Sequence, residues 1–320
     1  MLQTSNSASR KRIVVTGALG HIGSALIREP RLVEAATELI LVDDFSTQRY
    51  ASLFDLPPGT KYTLLRGDVE SVVTPEALAG VSAVIHLAAI AEPSTGITDP
   101  NWLTTHNLGS TRHVAEACAS AGVPLVFPSS TSVYAGTTEV VNESSLADNP
   151  QSPYAQCKLQ EESLILDLVE DGLRAAVFRF GTIFGTSPGM RFHTAVNKFC
   201  WQAACGEDIE VWSTALDQRR PYLALSDATR LLARTALEGI FPGKVINAVS
   251  CNITVRDVLE AIEKCGYSLD VRLVSSPLMT STSFETSTEL AQSLGFEFDG
   301  QLLSAVQDTL TRLGRLGPPA

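Results

Sequence analysis

Tyr154 and Lys158 stand four residues apart. On a helix that spacing puts both side chains on one face. A free phenol ionises near pH 10, roughly three units too high for a base at neutral pH. An ammonium one turn away favours the phenolate. The pair therefore has the makings of a general base for a hydroxyl. Taken alone, the same spacing also suits an exposed helix face. Ser130 adds to it: it follows the apolar run Leu125-Val126-Phe127 and can hydrogen-bond the same reacting oxygen.

These residues need a frame, and its organising stretch is Thr16-Gly17-Ala18-Leu19-Gly20-His21-Ile22-Gly23. It follows the strand-like Ile13-Val14-Val15 and opens a helix-like segment. Glycines three apart let the backbone turn tightly and approach a pyrophosphate, with helix N–H groups facing the anion. A second strand, Leu39 to Val42, ends in Asp43, whose carboxylate can accept both hydrogen bonds of an adenosine ribose. Asp44 follows, and two carboxylates without an arginine in the first turn favour NAD over a 2′-phosphorylated dinucleotide.

Strand-like and helix-like segments alternate through residues 13–90, with a helix from the glycine turn to about Ala36, a strand Lys61–Arg66 ending at Gly67-Asp68-Val69, a short helix Pro75–Ala79 and an apolar strand Ala83–Leu87. This rhythm predicts an α/β fold, a doubly wound parallel sheet of the Rossmann type with a smaller, mostly C-terminal lobe. Ligands in such sheets sit at strand carboxyl ends, where Asp68, Ala88 and Ala89 fall. Further on, Asp99–Gly122 reads as a long helix, and 136–152 as a loop. Ser152 and Pro153 read as the cap and first position of the helix bearing Tyr154. Residues 181–221 show little regular period. Helices follow over Leu223–Glu238, Thr254–Cys265, Thr288–Leu294 and Leu302–Leu313, with a strand at Lys244–Ala248. The expected division is a tail at 1–11, a dinucleotide-binding domain at 12–180 to which 222–267 returns, and a substrate lobe from 181–221 and 268–320.

Composition narrows the classes. The chain has 320 residues, 44% hydrophobic and 18% charged, with net charge −11. Beyond Arg10-Lys11-Arg12 it has no basic run, so no nucleic-acid partner is expected. No apolar stretch reaches the ~18 residues of a membrane span, and residues 1–10 lack the apolar core of a signal peptide. None of the six cysteines forms a CxxC pair, so no metal is expected, and a reduced, cytoplasmic setting fits.

Thr16-Gly17-x-x-Gly20-x-x-Gly23, Asp43, Asp68-Val69, His86-Leu87-Ala88-Ala89, Ser130, Tyr154-x-x-x-Lys158 and Arg179 occur in the order and spacing of extended short-chain dehydrogenases/reductases. Within these the chain resembles the NAD-dependent nucleotide-sugar epimerase/dehydratase family, of the UDP-glucose 4-epimerase type, over about residues 12–270. The resemblance implies bound NAD, held by Gly17, Gly20, His21, Ile22, Gly23, Asp43, Asp44, Asp68, Val69, Leu87, Ala88, Ala89 and Asn107, with Tyr154 and Lys158. It implies a catalytic set of Ser130, Tyr154 and Lys158, and a homodimer through helices at about 99–121 and 153–170.

Departures from the family pattern bear on the reaction. Sugar 4,6-dehydratases carry an Asp-Glu pair where this chain has Thr131 and Ser132, and nucleotide-sugar decarboxylases usually have Glu at the latter position. Small or hydroxylated residues there match the epimerase pattern. Thr182 replaces the family's Asn after the strand. Arg220, before Pro221-Tyr222, matches an arginine that grips a nucleotide diphosphate. The family's later Arg-Pro-Gly-Asp segment is absent, the run reading Val274-Ser275-Ser276-Pro277. The substrate-binding set is Ser130, Thr131, Thr182, Arg191, His193 and Arg220. The leading expectation is an epimerase of a nucleotide-activated sugar, acting through transient oxidation to a keto-sugar with no net redox change. A dehydrogenase or reductase of a related sugar or polyol, with net cofactor turnover, is the second reading. A non-catalytic NAD-binding regulator is the third.

Overall fold

The computed structural model describes residues 11–91, 99–134, 140–147, 150–275 and 283–314. Its first part alternates β1 (Lys11–Thr16), α1 (His21–Leu26), α2 (Pro30–Ala35), β2 (Ala36–Asp43), β3 (Lys61–Arg66), α3 (Val69–Val72), β4 (Ala83–His86), α4 (Pro100–Ala121), β5 (Leu125–Ser130), β6 (Val140–Val141), α5 (Pro153–Glu170) and β7 (Ala175–Phe180). Then come β8 (Thr182–Phe184), α6 (Ala195–Cys205), β9 (Ile209–Trp212), β10 (Arg220–Ala224), α7 (Leu225–Glu238), β11 (Val245–Ala248), β12 (Cys251–Ile253), α8 (Val255–Lys264), β13 (Val271–Val274), β14 (Glu285–Thr286), α9 (Glu289–Ser293) and α10 (Leu302–Leu313).

Seven strands form one parallel sheet in the order β11-β7-β5-β4-β1-β2-β3. This is the doubly wound Rossmann arrangement. The strand order reverses between β1 and β4, and the crevice outside their carboxyl ends is where such sheets bind ligands. Helices cover both faces. On one side, Leu26, Leu32, Leu231 and Ala291 of α1, α2, α7 and α9 pack on the sheet. On the other, Val69, Val114, Cys118 and Ile165 of α3, α4 and α5 do so. Strands covered on both faces are apolar nearly throughout, and all four residues of β4 are buried.

A separate apolar cluster joins α6, α8 and α10 through Val196, Phe199, Val258, Ile262, Val306 and Leu310. Within 222–267, α7 and β11 pack with the large sheet, whereas α8 packs in this smaller cluster. Among the described residues no helix is long and apolar enough to cross a membrane.

Several local expectations are corrected. Lys11 already pairs in β1 with Ala36, so it is no part of a tail; residues 1–10 lie outside the described residues. The single helix expected up to Ala36 is two short ones. Glu29 caps the second by accepting the Leu32 N–H at 2.9 Å, and Pro30 takes its first position, where a missing N–H costs nothing. Residues 75–79 form turns, not a helix, and β6 lies within the expected loop 136–152. Segment 181–221 is more regular than expected. Val196, Phe199, Cys200 and Ala203 make a buried helical stripe that surrounding Gly, Pro and Trp residues disguise in the sequence.

Candidate active site

The glycine turn joins β1 to α1. Gly17 has φ +62, and a Cβ there would lie 2.7 Å from Ala88 N and from Leu87 C, so only glycine lets the turn meet the end of β4. A Cβ on Gly23 would overlap the Gly17 carbonyl. Gly20 differs: a Cβ there would meet only Gly17 O at 3.2 Å and Arg49 Nη1 at 3.9 Å. Gly20 caps α1 with no side-chain bond.

Asp43, at the end of β2, already uses both carboxylate oxygens on backbone. Leu19 N donates to Oδ2 and Phe45 N to Oδ1, each at 3.0 Å. Burial pushes its carboxyl up, against those bonds. Asp44 is exposed and accepts Ser46 N at 2.8 Å. Asp68 is exposed and caps α3, accepting Glu70 N at 3.0 Å, while Val69 is buried. Leu87 and Ala88 are half-buried beside the turn, and Ala89 is exposed. Asn107 is buried and clamps Ile90: its Oδ1 accepts Ile90 N at 2.8 Å and its Nδ2 donates to Ile90 O at 2.9 Å. Its amide thus fixes the backbone after β4.

The segment 185–191 straps across the glycine turn, which sequence patterns did not indicate. His21 Nε2 bonds Gly185 O at 2.9 Å, Ser187 Oγ donates to His21 O at 2.8 Å, and Gly189 N donates to Ser24 Oγ at 2.9 Å. Arg49 Nη1 donates to Gly189 O at 2.8 Å. Burial is the main cause that lowers His21 to about 4, with the charges of Arg49 and Arg191 adding to it, so the imidazole is neutral at pH 7. Ile22 is half-buried just inside α1.

Ser152 caps α5 by accepting Ala155 N at 3.1 Å, with Pro153 first in the helix. That places Tyr154 and Lys158 one turn apart, Lys158 Nζ lying 5.7 Å from the centre of the Tyr154 ring and 4.5 Å from that of Phe127. Lys158 is buried and faces Glu161 Oε2 at 2.9 Å. Burial pushes the Tyr154 phenol up more than the Lys158 charge pulls it down; Glu161 and Cys157 add to the rise, and Arg191 opposes it. The expected lowering by the lysine is therefore outweighed in this site. Lys158 itself is raised: burial disfavours its charge, and the Glu161 and Tyr154 partners more than offset that.

Ser130 ends β5, and its Oγ accepts Ser132 N at 3.2 Å. The tight turn 131–134 that follows packs on α5. Thr131 is buried with its hydroxyl donated to Phe180 O at 3.2 Å, so the hydroxyl expected to meet substrate is used on backbone. Ser132 Oγ and Arg191 Nε are buried with no hydrogen-bond partner. His193 and Thr182 are exposed. Arg220 stands over the Phe284 ring at 5.2 Å and donates to Gln218 Oε1 at 3.0 Å. Ser276 and Pro277, of the run that replaces Arg-Pro-Gly-Asp, lie outside the described residues.

The sequence reading missed two buried carboxylates, Glu161 and Glu162. Their adjacency one turn beyond Lys158 was visible, but acids on a helix usually mark its solvated face. His86 is buried and bonds Thr16 Oγ1 at 2.7 Å.

Comparisons agree with this geometry. The chain matches the NAD dependent epimerase/dehydratase family over residues 13–248. It is 30% identical over 203 residues to the uncharacterized UDP-glucose epimerase YtcB of Bacillus subtilis, the match covering 60% of this chain and 63% of that protein. The chain thus spans less than two thirds of that relative's length. It is 26% identical over 270 residues, 81% of each chain, to a UDP-N-acetyl-alpha-D-glucosaminuronate decarboxylase of Bacillus cytotoxicus. The solved structure of MoeE5 in complex with UDP-glucuronic acid and NAD superposes with a TM-score of 0.80 at 29% identity, covering 94% of this chain and 99% of that chain. With the family matched over residues 13–248, and a glycine turn, a strand-end aspartate and a Tyr-x-x-x-Lys helix set on one parallel sheet, this chain belongs to the NAD dependent epimerase/dehydratase family.

Proposed function

We propose that the protein is an NAD-dependent epimerase of a nucleotide-activated sugar, with Tyr154 as base. The observation that carries this reading is the run Ser130-Thr131-Ser132, at the end of β5 and in the turn packed on the Tyr154 helix, none of which is a carboxylate. Elimination of water needs an acid and a base at the sugar besides the tyrosine, and these positions offer only hydroxyls. The MoeE5 complex, which holds UDP-glucuronic acid and NAD, supports the substrate class.

The residues present fit a dinucleotide. The turn carries no side chain at Gly17, Gly20 and Gly23, and Asp43 stands at the strand end with carboxylate lone pairs beyond those its two N–H donors use. When bound, NAD supplies a reversible hydride acceptor. Tyr154 takes the proton of the sugar hydroxyl and returns it after the face is exchanged, and Ser130 hydrogen-bonds the same oxygen. Lys158 supplies positive charge behind the phenolate. Arg220 and Arg191 offer guanidinium groups to the diphosphate, and Ser132 Oγ takes the contact first assigned to Thr131. The same reading includes a homodimer through α4 and α5.

The test is direct. Purified protein is denatured and any released dinucleotide identified by mass, and UDP-, GDP- and dTDP-sugars are incubated with the native enzyme. The expected result is stoichiometric NAD and formation of an epimer without accumulation of NADH. Tyr154→Phe should lower turnover about 10²-fold or more. Stoichiometric NADH production would move the assignment to a dehydrogenase, and unchanged turnover in Tyr154→Phe would remove the base.

A further inference from the structure

Glu161 is fully buried beside the proposed base and is held by its own chain of bonds. Its Oε1 accepts Thr111 Oγ1 at 2.6 Å. Its Oε2 lies 2.9 Å from Lys158 Nζ yet has no aligned hydrogen bond, so the contact is an ion pair. Hydrogens along the chain follow by exclusion. Thr16 Oγ1 accepts Ala88 N at 3.2 Å and shares the Leu87 N–H with the Thr16 carbonyl, each at 3.1 Å, so N–H donors approach both lone pairs. Its own hydrogen therefore goes to His86 Nδ1, 2.7 Å away. The imidazole proton then sits on Nε2 and faces Thr111 Oγ1 at 3.4 Å. Thr111 gives its hydrogen to Glu161. The chain runs one way, from the strand ends that frame the glycine turn to the carboxylate under Lys158.

We propose that Glu161 is a positioning residue for the Tyr154–Lys158 pair: it fixes the ammonium against the Phe127 ring and offsets part of its charge beside the Tyr154 phenol. The inference rests on the reading of Tyr154 as the base. Two unlike charges buried together exert little net field on a third group, whereas a lone ammonium would act at full strength. Among the described residues, the ionisable groups that act most strongly on Tyr154 are Cys157, Lys158 and Glu161 from α5 and Arg191 from the 185–191 segment. His86 of β4 faces Lys158 and stays neutral, lowered to about 3 by burial and by that lysine. Glu161 is the carboxylate among these described groups, and it opposes the effect of Lys158.

The test is a tyrosinate titration by ultraviolet absorbance on the protein without substrate. The chain has six tyrosines, so each curve is corrected by the matching Tyr154→Phe protein to isolate Tyr154. Glu161→Gln should lower the Tyr154 midpoint by about 1 pH unit or more, the effect of one nearby charge. Thr111→Val removes the hydroxyl but keeps the charge, and its midpoint should stay with the wild type. An unchanged midpoint in Glu161→Gln overturns the proposal. So does an equal drop in Thr111→Val, which would trace the shift to loosened packing. Should Glu161→Gln alone not fold, adding Lys158→Met must restore the fold, because it removes the charge left unpaired; failure to do so overturns the pairing. The titration needs no turnover, so it is separable from the functional reading, which falls if Tyr154→Phe keeps full activity.

Discussion

Glu162 and Arg179 face each other through two hydrogen bonds, Arg179 Nε to Oε1 at 2.9 Å and Nη2 to Oε2 at 2.6 Å. Both are buried. Arg179 also donates to the Tyr134 hydroxyl at 2.6 Å, and Glu162 Oε1 accepts Ser129 Oγ at 2.5 Å. One ion pair thus ties α5 to β7, to the end of β5 and to the turn after Ser130. Both partners hold Arg179 in its charged form: burial opposes the charge, and the Glu162 bonds more than offset that.

Removing one member of this pair should be costly. Glu162→Gln leaves a buried guanidinium with half its compensation, and the expected loss is about 3–5 kcal/mol of stability. Differential scanning calorimetry should show a melting temperature lowered by about five to seven degrees. An unchanged melt would mean that the pair does not brace the helix.

Gly189 lies against the glycine turn so closely that a Cβ would overlap the Leu19 carbonyl oxygen and come 2.6 Å from Gly20 O. Gly189→Ala should push the 185–191 strap off the turn. The fold, whose core lies elsewhere, should lose about 1–3 kcal/mol. Dinucleotide should dissociate at least about tenfold faster, equal to 1.4 kcal/mol of lost contact. The amount of NAD that survives gel filtration reads this out, and full retention would show that the strap does not contribute to holding it.

Much of this was legible in the chain. Ser152-Pro153 marked the start of α5, and the glycine spacing marked the β1–α1 turn, because caps and turns depend on a few adjacent residues. The long helix at Pro100–Ala121 and the last one at Leu302–Leu313 also read correctly. What did not read were relations between distant segments. Nothing near Thr131 shows that its hydroxyl meets Phe180 O, and nothing near Gly189 shows that it meets Leu19. The buried acids escaped for the same reason. Glu161 and Glu162 resemble solvated helix residues until Thr111, Lys158 and Arg179 arrive from elsewhere in the fold or one turn away.

Asp43 is used twice, which gives it a prediction with two readouts. Its two oxygens accept the Leu19 and Phe45 N–H groups and so shape the loop and the turn. Asp43→Asn turns one acceptor into a donor facing an N–H, an expected cost of about 1–3 kcal/mol. If the carboxylate also binds a ribose, NAD affinity measured by calorimetry should fall about 100-fold, two lost charge-assisted bonds. A lower melt with unchanged affinity would leave Asp43 as a clamp of the backbone alone.

Acid should destabilise the fold earlier than carboxylates would require. His21 is lowered from 6.5 to about 4, chiefly by burial, and His86 to about 3, again chiefly by burial. In the unfolded chain both bind a proton near pH 6.5. Their contribution is complete above that pH and is lost as pH falls toward the folded values, because the unfolded state takes up protons first. Between about pH 6 and about pH 4.5 the two together should steepen the loss to as much as about 2.7 kcal/mol per pH unit, one proton each. His21→Gln, whose amide can still reach Gly185 O, should remove about half of that slope. Urea midpoints taken across this range decide it. A midpoint that stays level down to about pH 5 would mean that both imidazoles carry their protons inside the fold.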